Sequence, residues 1–191
     1  VHERTYAEAV LPSETFVLGL RMRPYAIGHE LWLTRQGNPI LGTGPVEPRH
    51  AYEAALICSE DWAGTLRLNR DPFLPAKIRL WKWRTRKYDL SLEVAEWRNY
   101  REAGSLAFRL HETANGKRQS RSPGAPFLLR LVRMLMTQHR LTEAQALDYP
   151  LGLAQMHYEA WLEEEGAVEI WNEADQQFED YIREREAKCQ V

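Results

Sequence analysis

Apolar positions along this chain recur mostly at the three- and four-residue steps of an α-helix. The exception lies near the start. In ETFVLGLRMR, residues 14–23, Phe16, Leu18 and Leu20 alternate and predict a short strand with those three on one side. Helical spacing takes over in RPYAIGHELWLTRQGNPI, where Tyr25, Ile27, Leu31 and Trp32 form an apolar face. Pro24 suits its first turn, and Gly37 before Asn38-Pro39 marks its stop. LGTGPVEP reads as a loop. Residues 49–62 read as a helix with Tyr52, Ala55, Leu56 and Ser59 on one face, and residues 63–75 as a connector.

The stretch KIRLWKWRTRKY, residues 77–88, interleaves basic and aromatic residues. Placed on a helix over 75–88, Leu74, Ile78, Trp81, Thr85, Tyr88 and Leu92 fall on one core-facing stripe. Lys77, Arg79, Lys82, Arg84, Arg86 and Lys87 spread over the remaining surface, with Trp83 among them. Asp89 is placed to cap a following helix with Leu90, Val94 and Trp97 inward, ended by Gly104. Residues 112–126 are polar and rich in Gly, Ser and Pro. They read as a linker or basic loop dividing 1–111 from 127–191 within a single helical domain.

FLLRLVRMLMTQHR then predicts an amphipathic helix. Phe127, Leu128, Leu131, Met134 and Leu135 face inward, and Arg130 and Arg133 lie on the other side. Thr142 and Gln145 have capping-box spacing. Pro150 opens a helix that Gly166 closes, and a last helix is expected over 168–188. The fold class is mainly α, a multi-helix single domain with a small N-terminal β element.

Charge is segregated along the chain. The formal net charge is only −2, yet residues 61–140 carry 17 Lys/Arg against seven Asp/Glu, and residues 141–191 carry three against 13. Such asymmetry points to an interaction surface, or to mutual neutralisation within one fold. No apolar run approaches the roughly 18 residues that span a bilayer. Cys58 and Cys189 make no disulfide framework, and a reducing cytoplasm is the expected setting.

Catalytic patterns fail one by one. His29-Glu30 and His111-Glu112 begin like a zinc-protease motif, but Leu33 and Asn115 stand where its second His belongs. GTG at 42–44 lacks the strand, Lys and helix of a phosphate loop. No GxSxG nucleophile elbow is present. Consecutive Glu163, Glu164 and Glu165 fan around a helix end and are not a paired acid and base. The expectation is a protein without catalytic residues, metal or cofactor.

Two stretches carry a family resemblance. LRMRPYAIGHELWLTRQGNP, 20–39, resembles the opening of small proteins encoded near the tape-measure gene of long-tailed bacteriophages, through Arg23, Pro24, Gly28 and His29. ALDYPLGLAQMHYEAWLEEEG, 146–166, is similar to a second segment of those proteins, through Pro150, Leu151, Tyr158, Trp161 and Gly166. The resemblance covers about 40 of the 191 residues, and neither motif holds a catalytic signature. It implies a phage or prophage tail assembly chaperone or a related minor tail-region protein, helical and of the host cytoplasm. Such a protein binds the long tape-measure protein and keeps it soluble until the tail tube polymerises.

The residues alone support a protein partner too. Aromatic side chains dominate interface energetics, which singles out Tyr158, Trp161, Trp171, Phe178 and Tyr181 as candidate partner-binding residues. For the last three, docking on their own chain is the competing reading, and for Tyr158 and Trp161 it is packing within the fold on one helix face. The rival function is nucleic-acid binding through Lys77, Lys82, Arg84, Arg86 and Lys87, which predicts strong salt dependence. Self-association is left open, and no membrane partner is expected.

Overall fold

The computed structural model describes residues 6–7, 9–10, 14–105, 110–111, 125–166, 169–170, 178, 181–182 and 185. The linker candidate therefore lies outside the described residues, apart from Ala125 and Pro126. The fold is mainly helical, with a small antiparallel hairpin near the N-terminus. In chain order, β1 (Phe16–Val17) pairs with β2 (Leu20–Arg21). There follow α1 (Ile27–Gln36), a 3-10 turn (Pro39–Leu41), α2 (Pro48–Ser59), α3 (Trp62–Arg70), α4 (Leu74–Arg84) and α5 (Leu90–Gly104). Beyond them come β3 (Leu110–His111), α6 (Phe127–Gln138), α7 (Glu143–Leu147), α8 (Leu151–Glu164) and β4 (Glu169–Ile170), which pairs antiparallel with β3.

Helix α2 is the hub. Its Ala51, Ala54, Ala55 and Cys58 are small enough to let neighbours close in, and they are buried with Tyr52 and Ile57. Helices α1, α3, α4 and α5 and strand β2 all pack on it. From α5, Trp97 is completely buried and meets Tyr25 edge-on at 6.1 Å. Helices α6 to α8 join the same core through Leu131, Leu135, Ala146, Leu151 and Ala154.

Several predicted boundaries hold for the predicted reasons. Gly37 adopts a φ of 62° and donates its N–H to the Thr34 carbonyl at 3.0 Å, ending α1. Asp89 accepts from the Ser91 N–H at 2.8 Å. Thr142 and Gln145 form the reciprocal capping box.

Other expectations are corrected. The strand expected over 14–23 is a hairpin whose two-residue turn, Leu18-Gly19, has φ of 51° and 77°. That turn breaks the alternation, so Phe16 is exposed while Val17 and Leu18 are buried. Pro24 precedes α1 in an extended segment instead of sitting in its first turn. The connector expected over 63–75 contains α3, capped by Asp61 accepting from Gly64 N–H at 2.6 Å. Its fully buried positions are Gly64 and Thr65, which carry no apolar period.

The stripe expected to run to Leu92 stops at Thr85. There the Thr85 hydroxyl donates to the Trp81 carbonyl (2.8 Å) and receives Tyr52 OH (2.5 Å), and the helix ends. Leu92 consequently points outward, with 69% of its surface exposed, while the Tyr88 hydroxyl turns to Gly19 of the hairpin. Phe127 stays 37% exposed, its ring against Tyr158, whereas Val132 is buried. The last helix does not begin at 168, because Glu169–Ile170 is strand, held by pairing to β3 and by Ile170 N–H on Glu163 Oε1 (3.0 Å).

Candidate functional site

Residues 20–39 and 146–166 are stitched together by backbone. Ala26 and Pro150 form an antiparallel bridge. Ile27 N–H donates to the Tyr149 carbonyl (3.1 Å) and Leu151 N–H to the Tyr25 carbonyl (2.8 Å). Gly28 sits where a Cβ would lie 2.7 Å from the Trp62 ring and 2.9 Å from the Leu147 carbonyl, so the close crossing of α1 with α3 and α7 needs glycine.

His29 is fully buried. Its Nδ1 accepts the Ala26 N–H at 3.1 Å, and its Nε2 donates to the Glu60 carbonyl at 2.9 Å. It caps α1 and ties it to the end of α2. With both nitrogens engaged, the ring is neutral, and burial pushes its pKa below the ordinary value. His157 is shifted the same way, by burial and then by the charge of His139, whose ring lies 4.9 Å away.

Both imidazoles take up a proton more readily in the unfolded chain, so stability is full above about pH 7.5 and declines as pH falls below about 6.5. For His29 alone the slope approaches about 1.4 kcal/mol per pH unit. Urea unfolding between pH 7.5 and 5 measures it. A flat profile would show that these rings titrate normally.

Behind His29 lies a second polar cluster. Glu30 receives Tyr25 OH at 2.5 Å and both Nε and Nη2 of Arg101, at 3.0 and 2.9 Å. Tyr100 OH donates to the Arg23 carbonyl at 2.8 Å. Burial raises the pKa of Tyr25 and Tyr100, and pushes the Cys58 thiol up to about 12, so it is an inert packing group and no nucleophile. These residues lock the fold. Among the described residues, no group of three His, Cys, Asp or Glu side chains comes together to hold a metal.

One opening lies on the outside, between α6 and α8, and another of about 320 Å³ between the 3-10 turn and α5. Arg130, Arg133, Met134, Thr137 and Gln138 of α6 face Tyr158 and Trp161 of α8 across a groove of about 350 Å³. The Arg130 guanidinium lies 5.5 Å from the Phe127 ring centroid and 5.7 Å from that of Tyr158. Its Nη1 donates to Tyr158 OH at 3.1 Å, and its Nε is enclosed without a partner. The rings of Tyr158 and Trp161, one turn apart, lie 5.8 Å from each other and are tilted by 38°. Among the described residues, no carboxylate pairs with Arg130 or Arg133.

Of the predicted partner-binding residues, Tyr158 and Trp161 thus share one site. Phe178 and Tyr181 are exposed, and Trp171 lies outside the described residues. The missed members are Arg130, Arg133 and Met134. The helical period shows only that the two arginines leave the core, not that they meet α8. Lys77, Lys82, Arg84, Arg86 and Lys87 form a separate basic surface on α4 and the turn after it. Compared with known proteins, the chain matches no family model, no curated protein and no solved structure.

Proposed function

We propose that the chain is a non-catalytic protein-binding adaptor of the tail-assembly-chaperone kind, holding a segment of a long helical partner in the groove between α6 and α8. The observation that carries this reading is the groove itself. It sets a clamped, underused guanidinium beside two neighbouring aromatic rings and Met134, with exposed Leu129 and Met136 on the same helix. Aromatics and Arg are the residues that carry interface energy, and Met adapts to irregular partners. An acidic amphipathic helix offers the matching chemistry: a carboxylate for Arg130 and Arg133, and an apolar anchor for Trp161. The resemblance of 20–39 and 146–166 to tail-region proteins supports a tape-measure protein as that partner.

The test is a pull-down from native lysate after nuclease treatment, with the wild-type chain and with Trp161→Ala. One long coiled-coil protein should be retained by the wild type. Its affinity should fall about 30-fold in the variant, corresponding to roughly 2 kcal/mol for a hot-spot aromatic. Retention that ignores Trp161, or a catch consisting of nucleic acid, would overturn the proposal.

A further inference from the structure

Helix α4 has two apolar stripes, and only one of them serves the core. Leu74, Ile78 and Trp81 face inward, where Trp81 meets Tyr52 edge-on at 4.7 Å and donates Nε1–H to the Leu18 carbonyl at 3.2 Å. On the opposite side Phe73, Ala76, Leu80 and Trp83 follow at steps of three, four and three, a single line along a helix. Phe73, Leu80 and Trp83 are 69%, 52% and 63% exposed. No residue of α4 is fully buried, so the helix lies raised on the body of the protein.

Cations flank this outer stripe on both sides. At 100° per residue, Arg79 and Lys82 fall on one flank and Lys77 and Arg84 on the other. Arg86 and Lys87 follow in the next turn, with the Arg86 guanidinium 6.0 Å from the Trp83 ring centroid. Residues 72–88 hold six Lys/Arg and no Asp or Glu. Among the described residues, only Lys77 of these six has an acidic partner, Asp71 at 2.5 Å.

We infer that the outer face of α4 is a peripheral contact surface for a bilayer bearing anionic headgroups. An apolar centre with Lys/Arg along both edges is the cross-section of a helix lying in a membrane interface. The stripe enters the headgroup boundary while the cations reach phosphates on either side. Trp83 is the residue type that such an interface favours. A second copy of the chain is a poor occupant, because packing stripe on stripe would bring twelve like charges together, six from each copy. Nucleic acid fits less well: the exposed rings of Phe73 and Trp83 can stack on bases, but the middle of the face offers phosphates no cation. Here Ala76 and Leu80 occupy the centre. The described helices are too short or too polar to cross a membrane, so the contact is interfacial.

Sedimentation of the full chain with vesicles tests this. Phosphatidylcholine vesicles are compared with 3:1 phosphatidylcholine:phosphatidylglycerol vesicles, in proportions of roughly the anionic content of a cytoplasmic leaflet. Binding should be at least about tenfold stronger to the anionic vesicles and should weaken with salt. Leu80→Ser with Trp83→Ser should reduce it about tenfold or more, and Lys82→Glu with Arg84→Glu should remove the anionic preference. These positions are exposed, and circular dichroism confirms folding of each variant. No binding, equal binding to both vesicle types, or binding indifferent to Leu80 and Trp83 would each overturn the assignment. So would competition by an oligonucleotide that binds equally well to the Leu80/Trp83 variant, which would make the face a polyanion site. The α4 variants leave the groove between α6 and α8 unchanged, so the pull-down and the vesicle assay fail independently.

Discussion

Replacing Trp97 by alanine is expected to destabilise the protein by about 3–5 kcal/mol, a large share of the roughly 5–15 kcal/mol that holds a domain of this kind together. Trp97 is fully buried on α5 and stands edge-on to Tyr25 at 6.1 Å and to Tyr100 at 6.3 Å. Its indole also lies beside the Cys58 thiol of the central helix. Truncation therefore removes contacts to the β2–α1 connection, to α2 and to α5 itself, and the alanines of α2 are too small to refill the space. Phenylalanine at the same position restores most of the volume and should recover more than half of the loss. Urea unfolding by far-UV circular dichroism measures both. A loss below about 1.5 kcal/mol for Trp97→Ala would mean that the core closes over the cavity.

The same core shows which parts of the fold a reader of the sequence can see. Trp97 is recognisable because Leu90, Val94 and Trp97 repeat at helical steps behind an Asp cap, and both signals are local. The capping box at Thr142 and the glycine stops at Gly37 and Gly166 are local too. Helix α3 was hidden because its fully buried positions are Gly64 and Thr65. What counts there is close approach to Glu60 and to the core, which no hydrophobic period records. Strand β4 was hidden because its partner is about 60 residues away, and loop closure over such distances leaves no mark in the local pattern.

The groove was half legible. Tyr158 and Trp161 stand one turn apart and announce a shared face. Arg130 and Arg133 read as ordinary outward positions of an amphipathic helix. That α6 and α8 lie side by side, so that one arginine is held between Phe127 and Tyr158, is a property of tertiary packing. The basic-aromatic run 77–88 divides in the structure much as its period predicts for Trp81 and Trp83. The further finding is that Phe73, Ala76, Leu80 and Trp83 form a stripe of their own, facing solvent.

Replacing Glu30 by leucine is expected to cost about 3 kcal/mol, because it strands two donors at once. Tyr25 OH is buried and has Glu30 as its acceptor at 2.5 Å, and Arg101 spends two N–H groups on the same carboxylate. Losing one partner of a buried pair leaves the other without compensation, which typically costs about 3–5 kcal/mol. The lower end applies here because the Arg101 side chain is 34% exposed and can turn to water. The Tyr25 hydroxyl cannot, and an unsatisfied buried donor costs about 1–3 kcal/mol by itself. The Arg101→Met variant should lose about as much, since it leaves the more buried Glu30 carboxylate without its cation and with only the bond from Tyr25. Combining Tyr25→Phe and Arg101→Met with Glu30→Leu should recover much of the loss, because no polar group is then left unpaired. Urea unfolding of the single and combined variants at pH 7.5, where His29 and His157 are neutral, reads these terms separately. If the triple variant were as unstable as Glu30→Leu alone, the cost would come from packing around the introduced leucine side chain and not from stranded hydrogen bonds.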